Sequence, residues 1–190
     1  MLTSLIGAGD NYVLAQQCAR YLISQFKRVK EGKTPAKSTA FLAEPTSTLD
    51  NLHCSAEMLS DSNFHIATLK CLATKLLSNT ANKLAAYQAA GHSFHEAWNK
   101  HMDRLIECTR PYVYLHALQV VLNVINSEDK LDERQKAILK KIVQIFGLYH
   151  LRTMSEQLLM TGCLSVAVVD LLREEVRFHS CIRSAGTQLT

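Results

Sequence analysis

The chain has 190 residues, of which 47% are hydrophobic and 20% charged, and a formal net charge of +4 at pH 7. This balance is typical of one globular domain and excludes a disordered chain. No apolar run approaches ~20 residues, so no membrane span is expected. Lys and Arg are scattered along the chain. A continuous basic face for nucleic acid is therefore not expected.

The six cysteines are widely spaced and contain no C-x-x-C pair. Neither a zinc site nor a redox motif is therefore predicted. Four of them lie beside apolar residues and are expected to be buried thiols in a reducing compartment. These are Cys18, Cys71, Cys108 and Cys163.

Eight histidines raise the question of a metal site. His92, His95 and His101 are close in sequence, but no carboxylate or cysteine completes a familiar zinc spacing. Solvent-facing or capping roles are the better interpretation, and no metal site is predicted. His116 and His150 fall within apolar stretches, where a core histidine with a hydrogen-bonded partner is expected.

A first helix is predicted over residues 10–31, after an irregular segment at 1–8. Asp10 or Asn11 can cap it by accepting hydrogen bonds from its first backbone N–H groups, and Gly32 can end it. Apolar residues recur at helical spacing on one face. They are Leu14, Cys18, Tyr21, Leu22, Phe26 and Val29.

A long connection at 33–62 follows, with a short helix possible around 50–59. A second helix is predicted over 63–90. The third begins at Ser93, which with Glu96 forms a capping-box pattern, and extends to 127. Pro111 lies within it and is expected to kink or split it because proline lacks the backbone N–H. Trp98 is expected to be a core anchor.

The fourth and fifth helices are predicted over 132–160 and 165–184. The apolar residues of the fourth expected to face inward are Ile138, Ile142, Ile145, Phe146 and Tyr149. No strand-like alternation persists anywhere. The fold predicted is therefore all-α, an up-and-down helical bundle of about five long helices.

Four stretches, in this order, carry a resemblance to a known family. They are Gly9-Asp10-Asn11 with the helix up to Leu22, Glu96-Ala97-Trp98-Asn99, Leu148-Tyr149-His150-Leu151, and Gly162-Cys163-Leu164-Ser165. Together they resemble the C-terminal helical domain of the peroxisomal acyl-CoA oxidases. The resemblance covers nearly all of residues 9–190, and residues 1–8 do not share it.

The resemblance implies FAD-dependent oxidation of acyl-CoA to trans-2-enoyl-CoA with release of hydrogen peroxide. In the family, a Glu that precedes Gly-Asp-Asn is the catalytic base, and here Ala8 stands at that position. No catalytic residue is therefore carried over. Gly9, Asp10 and Asn11 are carried over as FAD-contact positions. Since the chain has no segment resembling the family's N-terminal and β-domains, it is expected neither to bind FAD nor to be active alone.

The resemblance leaves two hypotheses. The chain is a fragment of an acyl-CoA oxidase that builds the homodimer and closes one side of the flavin site, or a non-catalytic helical module that pairs with an intact oxidase. The family's location implies the peroxisome. The final residues, Gln188-Leu189-Thr190, do not match a Ser-Lys-Leu type signal, so a cytoplasmic location stays open. Both ends are expected to be truncated relative to the family.

Overall fold

The computed structural model of the chain describes residues 10–44 and 56–186, and the side chains of residues 12–44 and 57–176. Over these residues the chain forms nine α-helices and one 3₁₀ helix, without a β-strand. The all-α prediction is confirmed. The helices are α1 (Asp10–Lys30), the 3₁₀ helix (Lys37–Ala43), α2 (Ala56–Leu59), α3 (Ser62–Ala89), α4 (Phe94–Lys100), α5 (Met102–Glu107), α6 (Thr109–Ser127), α7 (Glu133–Thr153), α8 (Ser155–Met160) and α9 (Val166–Gly186).

The chain divides into two compact units, and α3 and α6 each contribute to both. The first unit takes in α1, the 3₁₀ helix, α3 from Ala73 onward, α4 and α5. In it α1 packs against α5 and the 3₁₀ helix. Its buried cluster joins Ala19 and Leu84 with Ala97, Trp98 and Leu105. Trp98 is 5% exposed, which confirms it as a core anchor.

The second unit contains α2, α3 up to Leu72, α6 from Tyr114, and α7 to α9. Here α7 packs along α9, and α2 and α8 also contact α9. Its core is mainly leucine. Fully buried side chains include those of Leu69, Leu148, Leu151, Leu158 and Leu172.

Two helices begin with complete capping boxes. The Ser93 hydroxyl accepts from the backbone N–H of Glu96, whose carboxylate accepts from the N–H of Ser93, at the start of α4. Asp132 and Gln135 form the same reciprocal pair at the start of α7. Each pair satisfies two backbone donors that a helix start leaves free. The capping box predicted at Ser93 is confirmed.

The third and fourth predicted helices each have an interruption that no glycine or proline explains. His101 separates α4 from α5 with φ −112° and ψ 20°, and Met154 separates α7 from α8 with φ −108° and ψ 22°. Pro111 lies in the first turn of α6, where the missing N–H would have no partner within the helix. The predicted third helix is split at Cys108, three residues before this proline, between the end of α5 and the start of α6. The split expected at Pro111 is therefore confirmed.

The inward face predicted for α7 is wrong. The five apolar residues assigned to it are between 37% and 57% exposed. The buried residues of this helix are Val143, Gly147, Leu148 and Leu151. Because α7 is apolar on two sides, periodicity alone could not decide which side packs against α9.

Candidate functional site

The predicted cofactor segment lies at the start of α1. Asp10 is the first helical residue and Asn11 the second, whereas Ala8 and Gly9 lie outside the described residues, as do the side chains of Asp10 and Asn11. The first N–H groups of a helix have no partner within it and carry a partial positive charge. This end of α1 can therefore accept a phosphate or another hydrogen-bond acceptor of a cofactor.

Apolar side chains surround this helix start and remain open to solvent. Tyr12, Val13 and Leu14 are 52%, 56% and 52% exposed. The sequence predicts Leu14 on the buried face of α1, and this prediction is wrong. The buried face begins further along, with Ala19, Leu22 and Phe26.

The rest of α1 is fixed within the first unit by several polar and aromatic contacts. The hydroxyl oxygens of Tyr21 and Ser38 are 2.9 Å apart, and the Gln25 side chain accepts from the N–H of Ala36 at 2.8 Å. The guanidinium carbon of Arg20 lies 5.5 Å from the centre of the Trp98 ring, within the range of a cation–π interaction. These contacts hold α1 in place within the first unit and so fix the position of its exposed N-terminal end.

A second exposed apolar surface lies on α7, which we call the outer stripe. It consists of Ile138, Ile142, Ile145 and Tyr149, which are 52%, 57%, 46% and 52% exposed. Their spacing of three to four residues places them on one side of the helix. On the adjoining helix α6, Val120, Val121 and Val124 are also exposed. Sequence reasoning recognised these α7 residues as apolar but missed that they form a surface.

One half-buried histidine joins α6 to α7. The ring of His150 stacks on that of Tyr114 with centroids 3.7 Å apart, and meets the edge of Phe146 at 4.3 Å. Burial lowers the pKa of His150 to about 4, so the imidazole is neutral at physiological pH. Its Nδ1 atom is buried without a hydrogen-bond partner. His116, expected in the core, is exposed instead.

The three histidines that are close in sequence, at positions 92, 95 and 101, make aromatic and polar contacts in the first unit. The His92 ring stacks on Tyr87 at 3.9 Å, and His101 meets the same tyrosine edge-on at 5.8 Å. His95 Nε2 lies 3.2 Å from the Asn99 amide nitrogen. In the described ranges no three His, Cys, Asp or Glu side chains are grouped to hold a metal ion.

The cysteines predicted to be buried are largely so. Cys71, Cys108 and Cys163 are buried, and Cys18 is intermediate. Burial raises the pKa of Cys108 to about 12, which keeps this thiol protonated and unreactive. The Sγ atoms of Cys71 and Cys163 lie 3.0 Å apart. The spacing of the cysteines in the sequence did not predict this contact.

The family model for acyl-CoA oxidase matches residues 61–183, nearly two thirds of the chain. The chain belongs to the acyl-CoA oxidase family. The matched residues extend from the start of α3 into α9, so the Gly9–Asn11 segment precedes them. Membership agrees with the resemblance inferred from the four sequence stretches.

Relatives in animals match over most of this chain. It is 25% identical to the peroxisomal acyl-coenzyme A oxidase 2 of Rattus norvegicus, with 87% of this chain covered. It is 26% identical to the acyl-coenzyme A oxidase acox-1.1 of Caenorhabditis elegans, with 90% covered. In both cases the chain spans only 25% of the relative's length.

Solved structures of acyl-CoA oxidases share the fold. The acyl-CoA oxidase 3 of Yarrowia lipolytica matches with a TM-score of 0.80 and 22% identity, over 96% of this chain and 26% of its own. Acyl-CoA oxidase-1 of Caenorhabditis elegans, solved in complex with FAD and ATP, matches with a TM-score of 0.77 and 23% identity, over 93% and 26%. The predicted helical fold of this family is confirmed. Among the described helices, none has the length and apolar character needed to cross a bilayer.

Proposed function

We propose that this chain is the C-terminal helical part of an acyl-CoA oxidase, and that it helps to form the dimer and one side of the flavin site. The family match supports the reaction class, FAD-dependent oxidation of acyl-CoA with release of hydrogen peroxide. The coverage of one quarter of the relatives supports a part of a larger enzyme. Relatives named as peroxisomal support the peroxisome as its location.

The outer stripe of α7 is the observation that carries the structural role. A surface helix of a monomeric domain normally has one apolar side, whereas α7 has a buried one and an exposed one. From Ile138 to Tyr149 the outer stripe extends about 16 Å along the axis, at 1.5 Å per residue. Exposed apolar surface of this extent is characteristic of an interaction site.

The occupant that we propose for this surface is a second copy of the chain. A two-fold interface uses the same patch on both subunits, and a straight apolar stripe on one helix can pack against its own symmetry copy. The exposed valines of α6 add apolar surface to the same unit, and α6 touches α7 where Tyr114 meets Phe146. These observations support a dimer formed through the second unit.

The flavin-side role belongs to the start of α1 in the first unit. FAD supplies the hydride acceptor, and this chain would supply the backbone N–H groups of Asp10 and Asn11 together with Gly9. Free N–H groups at a helix start fit a phosphate or ring acceptor. The exposed Tyr12, Val13 and Leu14 fit a helix end that other parts of the enzyme cover.

The dimer role is tested by light scattering after size-exclusion chromatography. The expected mass of the wild-type chain at high concentration is twice 21.3 kDa, and Ile142→Glu is expected to convert it to the monomer. Asn126→Glu adds the same charge at an exposed position of α6 outside the stripe and should leave the dimer intact. A monomeric wild type would overturn the dimer role.

The intact mass of the native protein from its source separates the two hypotheses. A mass several-fold above 21.3 kDa supports a part of a full acyl-CoA oxidase, whereas a mass near 21.3 kDa supports a separate helical module that pairs with an intact oxidase. Both share the fold and the family, so activity measurements on the isolated chain do not distinguish them.

A further inference from the structure

Cys71 and Cys163 form a close pair in the second unit although 92 residues separate them. Cys71 lies on α3, and Cys163 lies in the turn between α8 and α9. Their Sγ atoms are 3.0 Å apart, and the residues are only 2% and 4% exposed. A disulfide requires ~2.05 Å between the sulfurs, so an approach of about one ångström would join them.

A hydroxyl beside Cys163 can support its ionised form. Thr161 Oγ1 lies 3.2 Å from Cys163 Sγ and 2.7 Å from the carbonyl oxygen of Gln157. A hydroxyl has one proton to donate. In the thiol form the proton can go to the carbonyl, and when Cys163 ionises the hydroxyl can turn to the sulfur. A hydrogen bond to the charged form favours that form.

Cys163 also lies close to the surface in spite of its low exposure. Its neighbour Gly162 and the nearby Ser165 are exposed. Opening this one turn would admit a small oxidant without unfolding a long helix, because local opening costs less than global unfolding. Cys108 is different, since it lies within the first unit and donates to the Leu105 carbonyl oxygen at 3.1 Å.

We propose that Cys71 and Cys163 form a reversible disulfide when the protein meets hydrogen peroxide. The Cys163 thiolate attacks one peroxide oxygen and the O–O bond breaks, which gives a sulfenic acid and, after protonation, water. The Cys71 sulfur then attacks the sulfenic sulfur, the S–S bond forms, the S–O bond breaks, and a second water leaves. Two thiols are oxidised and one peroxide is reduced.

This pair is a redox switch that ties the middle of α3 to the start of α9. Only the source of the oxidant rests on the proposed function, in which hydrogen peroxide is the product. A cross-link over 92 residues restricts the unfolded chain strongly and stabilises the second unit when formed. A reducing agent reverses it.

Peptide mass spectrometry tests the proposal directly, with peroxide added to the purified chain. Trypsin cleaves after Lys70 and Lys75 and after Arg152 and Arg173. The expected product without reductant is therefore residues 71–75 linked to residues 153–173, and dithiothreitol should separate them. Because peroxide is supplied, this result does not depend on whether the chain belongs to an active oxidase.

Thermal unfolding adds a second readout. Oxidation is expected to raise the wild-type Tm by roughly 5–10 °C. Cys71→Ser and Cys163→Ser should abolish this rise, and Cys108→Ser should retain it. The proposal is overturned if peroxide converts Cys163 to a sulfinic acid without the cross-link, or if the wild type shows no linked peptide.

Discussion

The imidazole of His65 occupies the space that a side chain at position 147 would need. A β-carbon on Gly147 would lie 2.9 Å from Cγ of His65, closer than real β-carbons approach other atoms. The ring cannot easily move away, because His65 is fully buried and its Nε2 donates to the Leu59 carbonyl oxygen at 2.6 Å. Glycine therefore lets α7 approach α3 at this point of the second unit.

Gly147→Ala is expected to destabilise the chain by about 1–3 kcal/mol, the usual cost of overpacking a core. This would occur although alanine is the better helix former. Urea unfolding followed by circular dichroism measures the change. Combining Gly147→Ala with His65→Ala measures the coupling free energy between the two positions. The double variant should be more stable than additive effects predict, because alanine at position 65 removes the overlap. Additive effects in this cycle would contradict the proposed clash.

Acid is expected to destabilise the second unit through His65, which is buried, and His150, which is half-buried. Burial lowers the pKa of His150 from 6.5 to about 4, and also lowers that of His65, partly offset by the Leu59 carbonyl and Asp61. A group whose pKa is lower in the folded state stabilises the fold above its unfolded pKa and loses this contribution as the pH falls. The loss should therefore occur between pH ~6.5 and ~4.

The His150→Gln variant tests the His150 part of this pH dependence. It removes the titrating group, and the free energy of unfolding should then fall less between pH 7 and pH 4.5, by on the order of 1–2 kcal/mol for a half-exposed group. Urea titrations at the two pH values supply the measurement. An unchanged difference between wild type and variant at both pH values would refute the role of His150.

Leucine and isoleucine truncations along α7 should separate its two sides. Leu151 is fully buried, and Leu151→Ala is expected to cost about 2–5 kcal/mol. Ile142 is 57% exposed, and Ile142→Ala should cost less than about 1 kcal/mol under conditions where the chain is monomeric. Thermal unfolding at low concentration measures both. Equal losses of stability in the two variants would indicate that the outer stripe is buried.

The isolated chain is expected to show no acyl-CoA oxidase activity, and Ala8→Glu is not expected to restore it. A general base contributes about 10²–10⁴-fold to a rate, but the hydride acceptor is the flavin, which the protein must hold against the substrate. Bound-flavin absorbance and peroxide release, measured with added FAD and a long-chain acyl-CoA, test both forms. Stoichiometric flavin binding by either form would contradict the expectation that the isolated chain cannot hold the cofactor.

The helical type and the positions of the long helices were predictable because apolar spacing and capping signals are local. The number of helices was not: about five were predicted, and the described residues form nine α-helices and one 3₁₀ helix. The capping box at Ser93, the buried Trp98 and a fourth helix beginning at Asp132 follow from such signals. The interruptions at His101 and Met154 do not, since neither residue carries a local breaking signal and packing decides the backbone there. Pro111 carries such a signal, and the helix is split at Cys108, three residues before it, because the proline nitrogen cannot donate to the Glu107 carbonyl.

The candidate site was predictable only as a position in the chain. The Gly-Asp-Asn motif placed it at the start of α1, and Asp10 does begin that helix. Its contacts with FAD stay a prediction. The outer stripe and the Cys71–Cys163 pair required the fold, because which apolar side packs and which distant thiols meet depend on how the helices pack in the second unit.

The hydrogen bond from His65 to Leu59 has a further consequence for α2. This helix has only four residues and ends at Leu59, far below the length at which a helix persists in water by itself. The carbonyl of its last residue accepts a hydrogen bond from a side chain of the next helix. The stability of α2 therefore depends partly on α3. When the His65 ring leaves its place, α2 loses this hydrogen bond and keeps its packing against α9. Its amides are then expected to open to hydrogen exchange before the core of the unit does.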